Sequence, residues 1–252
     1  ATKDSTAGRL LAKKMKTVLS QEKRFEKEAQ SMIQKPLEEE QIQLFFSDIQ
    51  PLPASKVLIQ LEKENLFIGK RILAQELRLT VRGQEKIGII GPNGVGKSTL
   101  LAKLHQLLSG KREISLGFMP QDYQETLQLG LSPVEFLSQT GHKEEIQKIQ
   151  SRLASLNFSY PEMHHQIHSL SGGQQGKLLL LNLVLRKPNF LLLDEPTRNF
   201  SPTSQPEIRK LFANYSGGLV TVSHDRRFLK EVCTSIYSLT EHGLEVVDLQ
   251  DL

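Results

Sequence analysis

KIGIIGPNGVGKST, residues 86–99, is an apolar run that passes without a break into a glycine-rich loop, and the segment LLAKLHQLL that follows has helical apolar periodicity. The spacing G-x-x-x-x-G-K-S is met by Gly91, Gly96, Lys97 and Ser98, which is the pattern of a phosphate-binding loop between a strand and a helix. Glycines let the chain curl so that backbone N–H groups converge on phosphate oxygens, and the helix start adds the positive end of its dipole. The expected cradle is Gly91, Pro92, Asn93, Gly94, Val95, Gly96, Lys97, Ser98 and Thr99. Within it, Lys97 supplies a point charge to the β and γ phosphates of a nucleoside triphosphate, and the Ser98 hydroxyl suits a magnesium ion.

Working outward, PNFLLLDEPT, residues 188–197, is an apolar strand that ends in Asp194-Glu195. Where a strand ends and the chain turns, both carboxylates can face a site beyond the carboxyl edge of the sheet. Asp194 then holds magnesium through its water shell, and Glu195 orients or deprotonates an attacking water. The next strand, 219–222, ends in Ser223-His224-Asp225, which brings His224 to the same edge to donate to a γ-phosphate. Gln121, in GFMPQ, ends the strand around Phe118 and offers an amide to magnesium and water. His164, His165 and His168 have i, i+1, i+4 spacing, which is open to a metal ion as well as to an ordinary helix surface.

The wider pattern is an alternation of apolar strands and amphipathic helices. Strands are expected at 57–61, 77–81, 86–90, 116–119, 190–193 and 219–222, and helices at 97–108, within 133–156, at 173–186 and at 206–213. This alternation predicts an α/β sheet with helices on both faces. The length of 252 residues allows one large domain, or one domain and an appendage. With 38% hydrophobic and 24% charged residues the chain can build a core, which excludes a wholly disordered protein. The lone Cys233 cannot form an internal disulfide or complete a zinc ribbon, so a reducing compartment, the cytoplasm, is expected. Apolar runs fall far short of the roughly 20 residues that a membrane-spanning helix needs.

Composition shifts near residue 50, dividing a linker and connector (1–50) from the main domain (51–252). In residues 8–34, Leu11, Met15, Val18, Glu22, Phe25, Ala29 and Met32 recur at spacings of four and three, one stripe along a long helix with a single polar interruption. Seven basic side chains within residues 8–27 face only Glu22 and Glu26, so the chain's net charge of +4 is concentrated here. Such an excess suits either a solvated helix face or an arm laid along nucleic-acid phosphates. The opening residues lack both a starting Met and a signal-peptide apolar run, which reads as a cut from a longer polypeptide.

At Leu170-Ser171-Gly172-Gly173-Gln174 the sequence resembles the signature motif of ATP-binding cassette (ABC) ATPases. The order of phosphate loop, Gln121, signature, DEPT and His224 is similar to that family throughout residues 57–250. The resemblance implies a P-loop NTPase core of mixed sheet with a helical subdomain at about 131–170, and ATP with Mg2+ at the site. It also implies that Ser171, Gly172, Gly173 and Gln174 meet the γ-phosphate held by an opposing cassette, so a second cassette, upstream in the same polypeptide or in a homodimer, is the expected partner. An adenine-stacking aromatic is implied near Gly69; Ile68 fills that slot, and Phe67 is the substitute.

Two features resemble the ABC-F subfamily, soluble factors that act on ribosomes. Only 30 positions separate Gly91 from Gln121, and the basic helix followed by KPLEEE is similar to the second helix of an interdomain linker directed at ribosome-bound tRNA. The implied function is a translation factor or antibiotic resistance by ribosome protection; the alternatives are the ATPase subunit of a membrane transporter and an ATP-binding interaction module with weak turnover. The run DEPTRNFSP departs from the ABC-F form DEPTNHLD, with Arg198 and Asn199 for Asn-His and Ser201 in place of the D-loop aspartate.

Overall fold

The computed structural model describes residues 44–251. The basic helix expected at 8–34, and the ribosome or tRNA contact placed on it, lie outside the described residues.

Eight strands and seven α-helices follow one another in these residues. β1 (Val57–Ile68) and β2 (Arg71–Arg82) form an antiparallel pair of their own. The other strands are β3 (Lys86–Ile90), β4 (Leu116–Met119), β5 (Phe190–Asp194), β6 (Gly218–Val222), β7 (Ser235–Thr240) and β8 (Gly243–Val247). They make one six-stranded sheet in the order β4-β5-β6-β3-β7-β8, parallel except for the β7/β8 pair. The helices are α1 (Lys97–Leu108), α2 (Pro133–Leu137), α3 (Lys143–Ser155), α4 (Tyr160–His164), α5 (Gly172–Arg186), α6 (Gln205–Ala213) and α7 (Arg226–Val232). The expected α/β sheet with helices on both faces is therefore the observed fold.

Strand alternation divides the core between the two faces. Phe190, Leu192, Val220 and Val222 join Leu100, Leu101, Leu104 and Leu108 of α1 and the buried side chains of the β1/β2 hairpin. Leu191, Leu193 and Leu219 point the other way, into a cluster with Leu178–Leu181 of α5, Phe212 of α6 and Phe228 of α7. Gly88, mid-strand in β3, is required by this second layer: a Cβ there would lie 2.5 Å from Ile236 Cδ1 and 2.7 Å from Leu229 Cδ2.

Two differences from the sequence reading have local causes. The strands expected at 57–61 and 77–81 are longer and are the arms of one hairpin, because Glu62, Lys63 and Glu64 are exposed at a register irregularity and break the apolar run without ending the strand. Helix α7 and strands β7 and β8, at seven, six and five residues, are too short to show a sustained period, and β7 buries only Ile236 and Leu239. Residues ahead of position 51 also pack on this body. Leu44 is buried, the Phe46 ring stands 4.8 Å from that of Tyr215, and Lys187 Nζ donates to Asp48 at 3.0 Å.

Candidate functional site: a nucleotide cavity at the sheet edge

Four neighbouring parallel strands end at one edge, and each delivers a polar group there. In sheet order they are β4 with Gln121 beyond it, β5 with Asp194-Glu195, β6 with His224, and β3 with the glycine loop. A cavity of about 760 Å³ is lined there by Asn93, Gly94, Gly96, Lys97, Ser98, Thr99, Gln121, Asp194, Glu195 and His224. Its volume matches that of a typical small-molecule site.

The loop's shape depends on glycine at two of its corners. Gly91 (φ +146°) would bring a Cβ within 2.5 Å of the Leu239 carbonyl oxygen, and Gly96 (φ +108°) would bring one within 2.9 Å of Leu73 Cδ1, because β2 lies over the loop. Gly96 is also the N-cap of α1, whose first turn carries no acidic side chain. Lys97 Nζ donates to the carbonyls of Gly91 (2.8 Å) and Pro92 (2.9 Å), which fixes the ammonium against the inner wall. Burial pushes its pKa down, while Glu195 and Asp194 pull it up; the net direction is down.

Burial raises the Asp194 carboxyl above its usual range, against a hydrogen bond from Ser98 and the charges of Lys97 and Arg198. Glu195 is also raised, chiefly by burial, against the His224 backbone N–H and ring; Asp194 adds to the rise. Its backbone is left-handed (φ +51°), a conformation that a non-glycine residue adopts at a cost. Two bonds hold it there: Glu195 N–H donates to Val222 O at 2.9 Å, and His224 N–H donates to Glu195 Oε2 at 3.3 Å. The other carboxylate oxygen, Oε1, is buried without a hydrogen-bond partner and stands 3.6 Å from His224 Nε2. The arrangement leaves one carboxylate oxygen anchored and the other without a hydrogen bond beside the His224 ring.

The adenine-side expectation changes. Phe67 is half exposed and is not in the cavity wall. It pairs across the hairpin with Ile72, whereas the next pair, Ile68 and Arg71, lines the cavity together with Leu73. Successive strand residues face opposite ways, so the shift of one position turns the aromatic outward. Arg71 and Arg198 are wall residues that motif spacing does not single out as ligands; Arg71 arrives only through the hairpin register.

The Ser171–Gln174 turn is elsewhere: none of its residues lines this cavity. It starts α5 with a reciprocal cap, in which Gln174 N–H donates to Ser171 Oγ (3.3 Å) and Ser171 N–H to Gln174 Oε1 (2.9 Å). Gly172 has open space where a Cβ would point, and Gly173 would meet only the Asn199 carbonyl, at 3.5 Å. Among the described residues no group of three or more His, Cys, Asp or Glu is arranged to hold a metal ion. His164 instead packs its ring at a tilt against Tyr160, centroids 4.5 Å apart, and its Nε2 lies 3.1 Å from the Gln150 amide nitrogen.

The family model described as "ABC transporter" matches residues 74–198. The chain is 31% identical to the probable ATP-binding protein YheS of Escherichia coli K12 over 210 residues, covering 81% of the chain and 33% of the relative. It is 30% identical to the putative ATP-binding protein YdiF of Bacillus subtilis (94% of the chain, 38% of the relative) and 28% identical to ABC transporter F family member 2 of Arabidopsis thaliana (89% and 34%). The chain thus spans about a third of the length of these relatives. In fold it is similar to the ATP-binding cassette MJ0796, solved as a dimer in a post-hydrolysis state bound to ADP and Pi (TM-score 0.61, 19% identity, 75% of this chain and 98% of that one). A bacterial Atm1-family ABC exporter with ATP bound aligns at TM-score 0.61 and 15% identity, over 83% of this chain and 42% of that one. Sequence order, family match and fold agree, and the chain belongs to the ABC ATPases, an ATP-hydrolysing family.

Proposed function

We propose that the chain is one cassette of a soluble, cytoplasmic ABC-F ATPase that binds Mg-ATP between its own glycine loop and the Ser171–Gly173 turn of a second cassette. The observation that carries this reading is the separation of the two anion-binding elements: the glycine loop lines the cavity and the Ser-Gly-Gly helix start does not. Each cassette then holds two halves of different sites. The dimeric neighbour and the F-family relative support it.

In this reading Lys97 Nζ exchanges the carbonyls of Gly91 and Pro92 for β- and γ-phosphate oxygens, while the loop N–H groups and the α1 dipole hold the remaining charge. Ile68 and Arg71 flank the base. The Ser98 hydroxyl, the Asp194 carboxylate and the Gln121 amide oxygen are hard oxygen donors in one wall and fit Mg2+, which when bound neutralises phosphate charge. The Glu195 carboxylate accepts a proton from the attacking water; a carboxylate raised by burial is the stronger base for that step. His224, anchored through its N–H to Glu195, orients that water and donates to the γ-phosphate.

Closure of the pair on ATP is coupled in this proposal to ribosome binding through the basic segment 8–34, and hydrolysis releases it. Glu195→Gln in the intact polypeptide should slow turnover by at least about 100-fold and leave ATP binding in place, so the variant should sediment with ribosomes only when ATP is present. ATP-independent or absent co-sedimentation would sink the ribosomal part, and recovery in the membrane fraction would favour a transporter ATPase using the same site.

A further inference from the structure

The cavity wall contains a cation that none of the roles above uses. Arg198 is one of its lining residues, together with Gln121, Asp194, Glu195 and His224. The reason it is there is a turn. After β5 the chain folds back, with Arg198 N–H donating to the Glu195 carbonyl at 3.1 Å and Phe200 N–H to the Thr197 carbonyl at 3.3 Å. Thr197 and Phe200 are buried on either side, while Arg198 itself is exposed. The backbone is thus anchored and the long side chain is left free to cover the site.

The wall formed by Asp194 and Glu195 has a charge problem. It holds two carboxylates, and the terminal phosphate of a triphosphate seated in the glycine loop would arrive against them. Lys97, held on two carbonyls of the loop, is shared in that reading between the β- and γ-phosphates. A guanidinium offers five donors in a planar fork, stays charged at any working pH and binds phosphate oxygens in pairs. The Arg198 charge lies close enough to act on the Asp194 carboxyl, whose pKa burial nonetheless raises.

We propose that Arg198 binds the terminal phosphate of the nucleotide held in its own cassette, so that the chain distinguishes ATP from ADP before any partner closes on it. The proposal rests on the reading of the cavity as an ATP site. In phosphoryl-transfer enzymes an arginine supplied in cis stabilises the charge that develops on this group.

The test is equilibrium titration of the 252-residue chain with ADP and with a non-hydrolysable ATP analogue. Arg198→Ala should weaken the analogue about tenfold, the scale of one charge-assisted pair, and leave ADP within about twofold; Arg198→Lys should recover part of the loss. Retained ADP affinity reports that the variant is folded. Equal loss for both nucleotides, or no loss for the analogue, would overturn the assignment. Lys97→Ala separates the underlying reading: if it leaves affinity for both nucleotides unchanged, the cavity is not the ATP site, whatever Arg198 does.

Discussion

Glu195 concentrates three costs in one residue: a left-handed backbone, a largely buried carboxylate and an unpartnered oxygen. Each is unfavourable for folding, and together they leave a base whose lone pair is not already taken. The burial has a consequence for stability. A carboxyl whose folded pKa lies above its unfolded value favours the fold below the unfolded pKa, about 4.3 for Glu, and that advantage is lost as pH rises through the folded value. Glu195→Gln removes the ionisation, so its melting temperature should exceed that of the parent chain by a margin that grows from pH 4 to pH 7. Thermal unfolding at the two pH values measures this; a margin that shrinks would mean the carboxylate is better solvated than its surroundings indicate.

At the scale of elements, two capping boxes are linked by one hydrogen bond. Glu162 accepts from Ser159 N–H and Oγ, both at 2.7 Å, and closes the start of α4. Its other oxygen accepts from Gln174 Nε2 at 2.7 Å, and Gln174 is the residue that caps α5 with Ser171. The small helices after β4 and the Ser-Gly-Gly turn therefore share an anchor. Glu162→Ala removes one cap and the tether of another, for a loss of about 1–2 kcal/mol in denaturant unfolding. Glu162→Gln, which keeps acceptor capacity in one oxygen only, should fall between. A loss no larger than that of an ordinary surface substitution would show that Gln174 caps α5 unaided. S-x-x-E at 159–162 and S-x-x-Q at 171–174 are local patterns of four residues, whereas the bond that connects them joins side chains twelve positions apart and is set by the tertiary fold.

For the whole molecule, the separation of loop and signature has a direct test. Gly173→Asp adds a side chain and a negative charge where a Cβ has only a 3.5 Å contact with Asn199, so the fold can accept it. ATP binding at the chain's own loop should stay within about twofold, while turnover should drop by about 100-fold or more, the scale of losing donors to a developing charge. Equal loss of both would mean that the turn serves its own cavity. The energetic demand on such a pairing is considerable: moving a population from 1:99 to 99:1 takes about 5.5 kcal/mol of differential binding, which a bridging phosphate must supply through contacts made only in the closed state.

The α/β class and the meeting of Gln121, Asp194, Glu195 and His224 with the glycine loop could be read from the sequence alone. Each polar group directly follows an apolar strand run, and neighbouring parallel strands deliver their ends to the same edge. Tertiary structure alone decided that Ile68 and Arg71, and not Phe67, enter the cavity, that Arg198 joins its wall, and that Glu195 is held in a left-handed backbone. Those outcomes depend on a hairpin register with bulges, on a turn pinned by buried neighbours, and on a bond from Glu195 N–H to Val222 in another strand. Strand ends and loop spacings are properties of consecutive residues, whereas side-chain direction at a turn is set by contacts between segments far apart in the chain.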